Sequence, residues 1–376
     1  MDVANELLDA IEIIVDKKVR ENTTQIYPGI CKSVSGGSCV MSINGKDNTI
    51  QFYGSIPIVG AIYRVFVPDG NMSMAFAITG NDDRKGLHYS NPNLLDNWYF
   101  GNLVNQRGIL SGNGPVNAYG IDRWKFLNAG TLTIGSDYIA IASDEHYYTL
   151  QQYIEPGRFA GVIGMTATLS ALVKGYGRLK ISLGSSSVQA YSDYVRSSDW
   201  TIVQMQGKIV SGTDYHIFVQ ARKGEGDFYV KAVKLELGSQ QTLAQQDADG
   251  NWVLNEIPDY GEQLRRCQRY FVNFNPNKVN WFAMPPAVAS NTTEAYSAVT
   301  LPVAMRAQPT VSYGGKIALS QTDDVQVTGI QVSGSTFAGN YLQLKYSVAD
   351  GLTANSTYRV QGYNDPTSYI WLSADL

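Results

Sequence analysis

Cysteine is scarce in this chain, at three residues in 376, and three cannot build a disulfide framework because one must stay unpaired. Cys31 and Cys39 flank Ser35-Gly36-Gly37-Ser38, a hairpin turn. With Gly36 and Gly37 as its loop residues, Cys39 pairs with Val34 and Cys31 with Ser42, which puts the two sulfurs on opposite sheet faces. Free thiols are the expectation. Histidine is equally sparse: His88, His146 and His216 are scattered, no G-x-S-x-G elbow accompanies them, and no spacing fits a transition metal. No D-x-D-x-D-G loop marks a calcium site, which leaves structural calcium open. Charged residues are 16% of the chain against the usual roughly 25%. Net charge is -4 with no block of like charge, which argues against an electrostatic nucleic-acid binder. No apolar run of membrane-spanning length and no basic-then-apolar leader occurs, so neither membrane insertion nor signal-peptide export is expected.

Glycine and tyrosine are plentiful. The 36 Gly and 13 Pro suit strands and turns more than helices, and the 24 Tyr and 6 Trp exceed what the cores of a low-charge β protein need. Some of those rings are therefore expected on surfaces, where tyrosine favours interfaces and neutral polar ligands. At about 150 residues per domain the length corresponds to two or three domains, and the turn punctuation favours three.

The fold expected is mainly β: a short N-terminal helix, a small β-barrel, then two β-sandwich, jelly-roll-like modules. Residues 1–25 carry the only long helical pattern, with Ala4, Leu7, Ile11 and Ile14 at heptad spacing, either packed on the chain's own barrel or bundled at a trimer axis. Residues 26–82 hold about five short alternating strands with an Asn44-Gly45 hairpin turn, a barrel of the oligonucleotide/oligosaccharide-binding or SH3-like kind. The polar stretch Asn81 to Gly86 ends it. Residues 93–238 carry eight or nine strand patterns, with separate strands at 158–170 and 178–184 and hairpin loops at Gly175-Tyr176-Gly177 and at Gly184-Ser185. Residues 239–265 form a linker with a short helix at Asp259 to Leu264, and residues 266–376 form a second sandwich.

Catalytic pairs are not apparent. Glycoside hydrolysis needs two carboxylates across a cleft, and the neighbours Asp144-Glu145 and Asp323-Asp324 fall in turns, where they read as solvated. His146 and His216 read as surface or sandwich-edge residues. Aromatic residues are the better functional candidates, because a sugar's C–H face packs on a ring while its hydroxyls pair with amides and carboxylates. Trp281, Tyr341, Tyr363, Tyr369 and Trp371, with Asn364 and Asp365, supply that mixture in the last module. In the middle module Trp98, Trp124 and Trp200 are expected in the core, whereas Tyr147, Tyr148, Tyr191 and Tyr194 are candidates for exposure.

Three stretches carry a family resemblance: KLELGSQQT with YGEQLRRCQRYF, NLLDNWYFGNLVNQRG with IDRW at residues 93–124, and LPVAMRAQPTV at 301–311. They resemble the module junctions of bacteriophage tail fibre and receptor-binding (baseplate) proteins, and the middle module resembles carbohydrate-binding-module jelly rolls. The resemblance implies a homotrimer attached to a baseplate or tail protein through the N-terminal helix and barrel, with the last module as the tip that meets a bacterial surface polysaccharide. It implies a virion tail protein, assembled in the bacterial cytoplasm and released by lysis; the residues themselves offer no catalytic set, no cofactor motif and no transition-metal spacing, so a non-enzymatic protein without cofactor is expected. The alternatives are a polysaccharide-degrading tail enzyme and a purely structural baseplate component.

Overall fold

In the computed structural model, which describes residues 24–54, 57, 59–60, 62–79, 90–185, 189–247, 249–334 and 336–376, strands alternating apolar and polar residues form most of the chain. The helical pattern of Ala4, Leu7, Ile11 and Ile14 lies outside the described residues, as does the stretch from Asn81 to Gly86. The chain divides into two units, Met1–His88 and Tyr89–Leu376.

The first unit closes β1 (Gln25–Ser35), β2 (Ser38–Ile43), β3 (Lys46–Gly54), β4 (Ile62–Val67) and β5 (Phe76–Thr79) into a barrel of order β1-β2-β3-β5-β4. The parallel β3–β5 pair and the return of β4 to β1 give the Greek-key arrangement of the oligonucleotide/oligosaccharide-binding kind. Asn44 and Gly45 both have positive φ, at 50° and 79°, as a two-residue hairpin turn demands. Cys39 pairs with Val34 as the turn predicts, but a bulge between Cys31 and Ser33 brings Cys31 opposite Met41 instead of Ser42. That one-residue slip turns Cys31 inward. Both thiols lie in the barrel core with Met41, Ile43 and Val65, correcting the expectation that they occupy opposite faces. All three cysteines are free and buried.

The second unit begins with a two-layer sandwich. Its strands are β6 (Gly112–Asn113), β7 (Ala118–Tyr119), β8 (Lys125–Leu127), β9 (Gly130–Ile134), β10 (Ile139–Ser143), β11 (Tyr147–Tyr153), β12 (Thr166–Gly184), β13 (Gln189–Tyr191), β14 (Val195–Lys208), β15 (Asp214–Arg222) and β16 (Phe228–Leu237). Strand β12 serves both layers. Its first half pairs with β14 and β16, and its second half with β15 and β13. The separate strands expected at 158–170 and 178–184 are thus largely one strand of 19 residues. Gly175-Tyr176-Gly177 is its bend rather than a hairpin. A Cβ on Gly175, whose φ is +97°, would stand 2.2 Å from the Asp227 carbonyl oxygen, and one on Gly177 would stand 2.5 Å from the Phe228 ring. Glycine is used here for close approach across the bend. The core holds Trp98, Trp124 and Tyr148.

The hairpin β17 (Ala244–Gln246) and β18 (Trp252–Leu254) precedes helix α1 (Tyr260–Gln268), whose first turn is capped by Asp259 accepting from Glu262 N at 2.8 Å. The last module contains β19 (Phe271–Asn273), β20 (Ala283–Ala289), β21 (Glu294–Thr300), β22 (Thr310–Gly314), β23 (Ile317–Ser320), β24 (Asp324–Val332), β25 (Tyr341–Val348), β26 (Thr357–Gly362) and β27 (Tyr369–Ser373). Strands β20-β21-β25-β24-β23-β26 close on themselves, and β19-β27-β22 form a three-stranded sheet. One core joins them, since Val272, Ile370 and Leu372 pack with the residues of the closed sheet.

Helix α1 and its flanks bind the two modules together. Asp96, 1% exposed, receives Arg123, Arg158 and Arg266 at 3.1, 3.1 and 2.7 Å. Burial alone would raise its pKa, but those three guanidiniums hold it below the usual carboxylate value. Arg269 clasps Glu155 with two hydrogen bonds of 3.0 Å, and Tyr270 donates to the same carboxylate at 2.5 Å. Gln263 accepts from Asn97 N at 2.7 Å, and Gln106 donates to Phe271 O at 2.9 Å. The stretches NLLDNWYFGNLVNQRG, IDRW and YGEQLRRCQRYF, distant in sequence, are therefore parts of one interface.

Candidate functional site

The loop from Tyr363 to Ser368, between β26 and β27, is built by its own polar residues. Asn364 takes a positive φ of 45°. Asp365 Oδ1 accepts from Thr367 N at 2.9 Å and Thr367 Oγ1 at 2.6 Å, while Oδ2 accepts from Lys316 N at 3.0 Å. Those hydrogen bonds, with Thr367 foremost, lower the Asp365 pKa. Asn364 and Asp365 accordingly shape the loop. The segment after β19 docks beside it: Asn275 Nδ2 donates to Ser368 O at 2.8 Å, and Asp365 N to Asn280 O at 3.3 Å.

These two segments present two ring pairs. Trp281 and Tyr363, 54% and 38% exposed, meet edge to face at 5.1 Å. Tyr369 and Trp371, neighbours on one face of β27, meet at 4.3 Å and 32°. Tyr369 lies opposite Gly314 on β22, where a Cβ would come within 2.6 Å of its ring. The ring thus covers the glycine. Trp371 also leans on Phe271 at 5.5 Å, and the Arg107 guanidinium stacks on Phe271 at 3.7 Å. Trp371 Nε1 is buried without a hydrogen-bond partner.

Tyr369 and Trp371 line a cavity of about 380 Å³ with Gln106, Arg107, Asn273, Lys278 and Thr367. That volume is within the range of small-ligand sites, and the mixture of rings with a few polar groups is typical of them. Tyr341, 41% exposed at the start of β25, shares no ring contact with the other four aromatic residues among the described residues. The contribution of Gln106 and Arg107 was not found from sequence, because it depends on a sandwich loop folding back beside β19. In the sequence the NQRG stretch carries only the family resemblance.

Other candidates resolve clearly. Tyr148 is fully buried, contrary to the exposure expected of it, and Tyr191 is 48% exposed. Trp98 and Trp124 are core residues, while Trp200 is half-buried against that core. His146 is exposed, but His216 is buried, not at the surface. Its Nδ1 lies 2.7 Å from Asp214 Oδ1, and burial lowers its pKa despite that carboxylate. Asp144 and Glu145 are exposed in a turn, and Asp324 accepts from Ser320 Oγ. No group of three or more His, Cys, Asp or Glu side chains gathers for a metal among the described residues.

No protein-family model and no curated protein matches the chain. Among solved structures it is similar to the C-terminal family 22 carbohydrate-binding module of Clostridium thermocellum Xyn10B, at 15% identity over 33% of this chain and 97% of that one, with a TM-score of 0.25. It is also similar to the tandem family 22 modules of Paenibacillus barcinonensis Xyn10C, at 9% identity over 76% of this chain and 98% of that one, with a TM-score of 0.26. A third similar structure is the binding domain of botulinum neurotoxin serotype D/C, at 9% identity, covering 73% of this chain and 98% of that one with a TM-score of 0.22. At such TM-scores these likenesses bear on neither the ligand nor the assembly of this chain.

Proposed function

We propose that this chain is a non-enzymatic attachment protein that binds a bacterial cell-surface glycan through the loops of its last module. It would act as a homotrimer in the tail or baseplate of a phage or phage-like particle, assembled in the bacterial cytoplasm and freed by lysis. The observation that carries the glycan reading is the pair Tyr369–Trp371 beside the cavity of about 380 Å³, with amide, hydroxyl and cationic groups around it. Rings stack on sugar C–H faces, and the polar rim matches hydroxyls. The exposed Ile26, Ile30, Tyr53 and Ile78 of the barrel support a role for that unit in attachment to another tail component, since apolar surface is a docking resource.

Trimerisation follows from magnitude. One ring covering about 100 Å² gains roughly 2.5 kcal/mol, and association costs several kcal/mol before any surplus. One ring is therefore not enough; a site whose rings and hydrogen bonds together net about 4 kcal/mol binds at about millimolar strength, and three such sites linked on a repeating polymer gain on the order of a hundredfold. The test is attachment of the whole protein to host wall fractions, with Tyr369→Ala and Trp281→Ala combined. More than tenfold weaker attachment at unchanged melting temperature is expected. Unchanged attachment would sink the assignment of the site, and release of reducing ends from the wall polymer would favour the enzyme instead.

A further inference from the structure

Across its bend, β12 turns its even-numbered residues outward: Lys174, Tyr176, Arg178 and Lys180 are partly exposed between the buried Val173, Leu179 and Ile181. At about 3.3 Å per residue this row runs roughly 20 Å. Neighbouring strands place rings beside each cation on the same face. Lys174 is paired across to Tyr229 and lies 4.5 Å from its ring. Arg178 lies 4.4, 4.9 and 5.0 Å from the rings of Tyr191, Tyr194 and Tyr147. Lys180 faces Phe218 at 4.6 Å, and Tyr176 stacks flat on Tyr194 at 5.0 Å. Arg196, Arg222 and Lys231 border the row, over Tyr176, Tyr194 and Trp200 respectively.

Carboxylates answer only part of this charge. Glu225 pairs with Arg196 and Asp137 with Lys231, while Asp214 engages His216 and Asp227 accepts from Tyr229. Among the described residues Lys174, Arg178, Lys180 and Arg222 have no carboxylate partner. A basic, ring-lined strip thus stands on a chain whose net charge is -4. A ring face attracts a cation without neutralising its charge, and the alternation of ring and cation fits a polymer that alternates sugar faces with negative groups.

We propose that this face of the sandwich is a second binding surface, and that its ligand is an acidic polysaccharide bearing repeated carboxylate or phosphate groups. Lys174, Arg178 and Lys180 bind the anions, the exposed Tyr191 packs on a sugar, and the stacked Tyr176–Tyr194 pair holds Arg178 and Arg196 in place. The surface is separate from the loops of the last module, so its test is independent of theirs.

The experiment is retardation of the full chain in gels cast with polygalacturonate, with its methyl ester, with a phosphate-bearing mannan, or with single-stranded DNA. Retardation by polygalacturonate or the phosphomannan is expected, the stronger of the two identifying the anion, with none by the ester. It should fall steeply as salt is raised through about 0.15 M, where the Debye length is about 8 Å. Arg178→Gln should weaken it at least tenfold, as should Lys174→Gln with Lys180→Gln, and Arg178→Lys should restore part of it. Arg265→Gln, which removes an exposed cation from helix α1, should change nothing. Equal retardation by the ester, no retardation by either acidic glycan at low salt, equal affinity for DNA, or an unaltered Arg178→Gln protein would each overturn the proposal.

Discussion

Replacing Asp96 with asparagine would leave Arg123, Arg158 and Arg266 converging on a neutral amide in a site that is 1% exposed. Removing one member of a buried ion cluster costs about 3–5 kcal/mol, and urea denaturation of Asp96→Asn should show a loss of that order. A second residue-scale test is Gly175→Ala. Its Cβ would meet the Asp227 carbonyl oxygen at 2.2 Å on a backbone with φ of +97°, so a loss of at least about 2 kcal/mol is expected. A change under half a kilocalorie would mean that the bend relaxes freely. Sequence did not reveal this bend. Two glycines flanking a tyrosine look like a turn because glycine's freedom serves hairpins and close approaches alike. Tyr148 escaped for a related reason: β11 is buried on both faces from Tyr148 to Gln152, so no alternation of exposure marks it, and that burial arises only when β8 and β15 take their places beside the strand.

Helix α1 was legible as one or two turns because Asp259 and the polar run behind it mark a start, but its importance was not. The helix carries Gln263 and Arg266 and is followed by Arg269 at its C-cap, each engaged with the sandwich. These are the stretches that carry the family resemblance, and the structure supplies a physical reason for them. The reason is that they bury charged and amide groups against one another, which demands particular partners at particular places. Acid should therefore loosen the helix first. Glu155 has its pKa lowered from 4.5 to about 2, chiefly by the hydrogen bond from Arg269, against burial and with help from Tyr270. A lowered folded pKa means stabilisation that is complete above about pH 4.5 and lost as pH falls through about 2. Asp96 acts in the same direction, its pKa also being lowered. Asp122 opposes them in a different window, since burial raises its pKa from 3.8 to about 6, so its ionisation costs stability as pH rises from about 4 to 6. Hydrogen exchange followed against pH should show α1 opening below about pH 4, and Asp122→Asn should flatten the profile between about 4 and 6. Protection of α1 that persists to pH 2 would contradict this.

At the scale of the whole molecule, the mainly β architecture and the small N-terminal barrel were legible from strand spacing and turn residues, and the chain divides into the units Met1–His88 and Tyr89–Leu376. The closure of the last module's six strands was not legible, because closure depends on β20 meeting β26, Val288 lying opposite Thr357 and Ala283 opposite Gln361, and a pairing so distant in sequence leaves no local mark. The ring pairs of the last module were likewise named one residue at a time, and only the fold groups Trp281 with Tyr363 and Tyr369 with Trp371 while setting Tyr341 apart. Light scattering should give three times the 41.2 kDa of one chain. A monomer would remove the avidity that millimolar sites require. The most direct test of glycan recognition is calorimetric titration of the purified host wall polysaccharide into the full chain and into its Tyr369→Ala, Trp281→Ala form. The account predicts heat of binding for the first and at least tenfold weaker binding for the second. Equal heats from both proteins, or none from either, would contradict it.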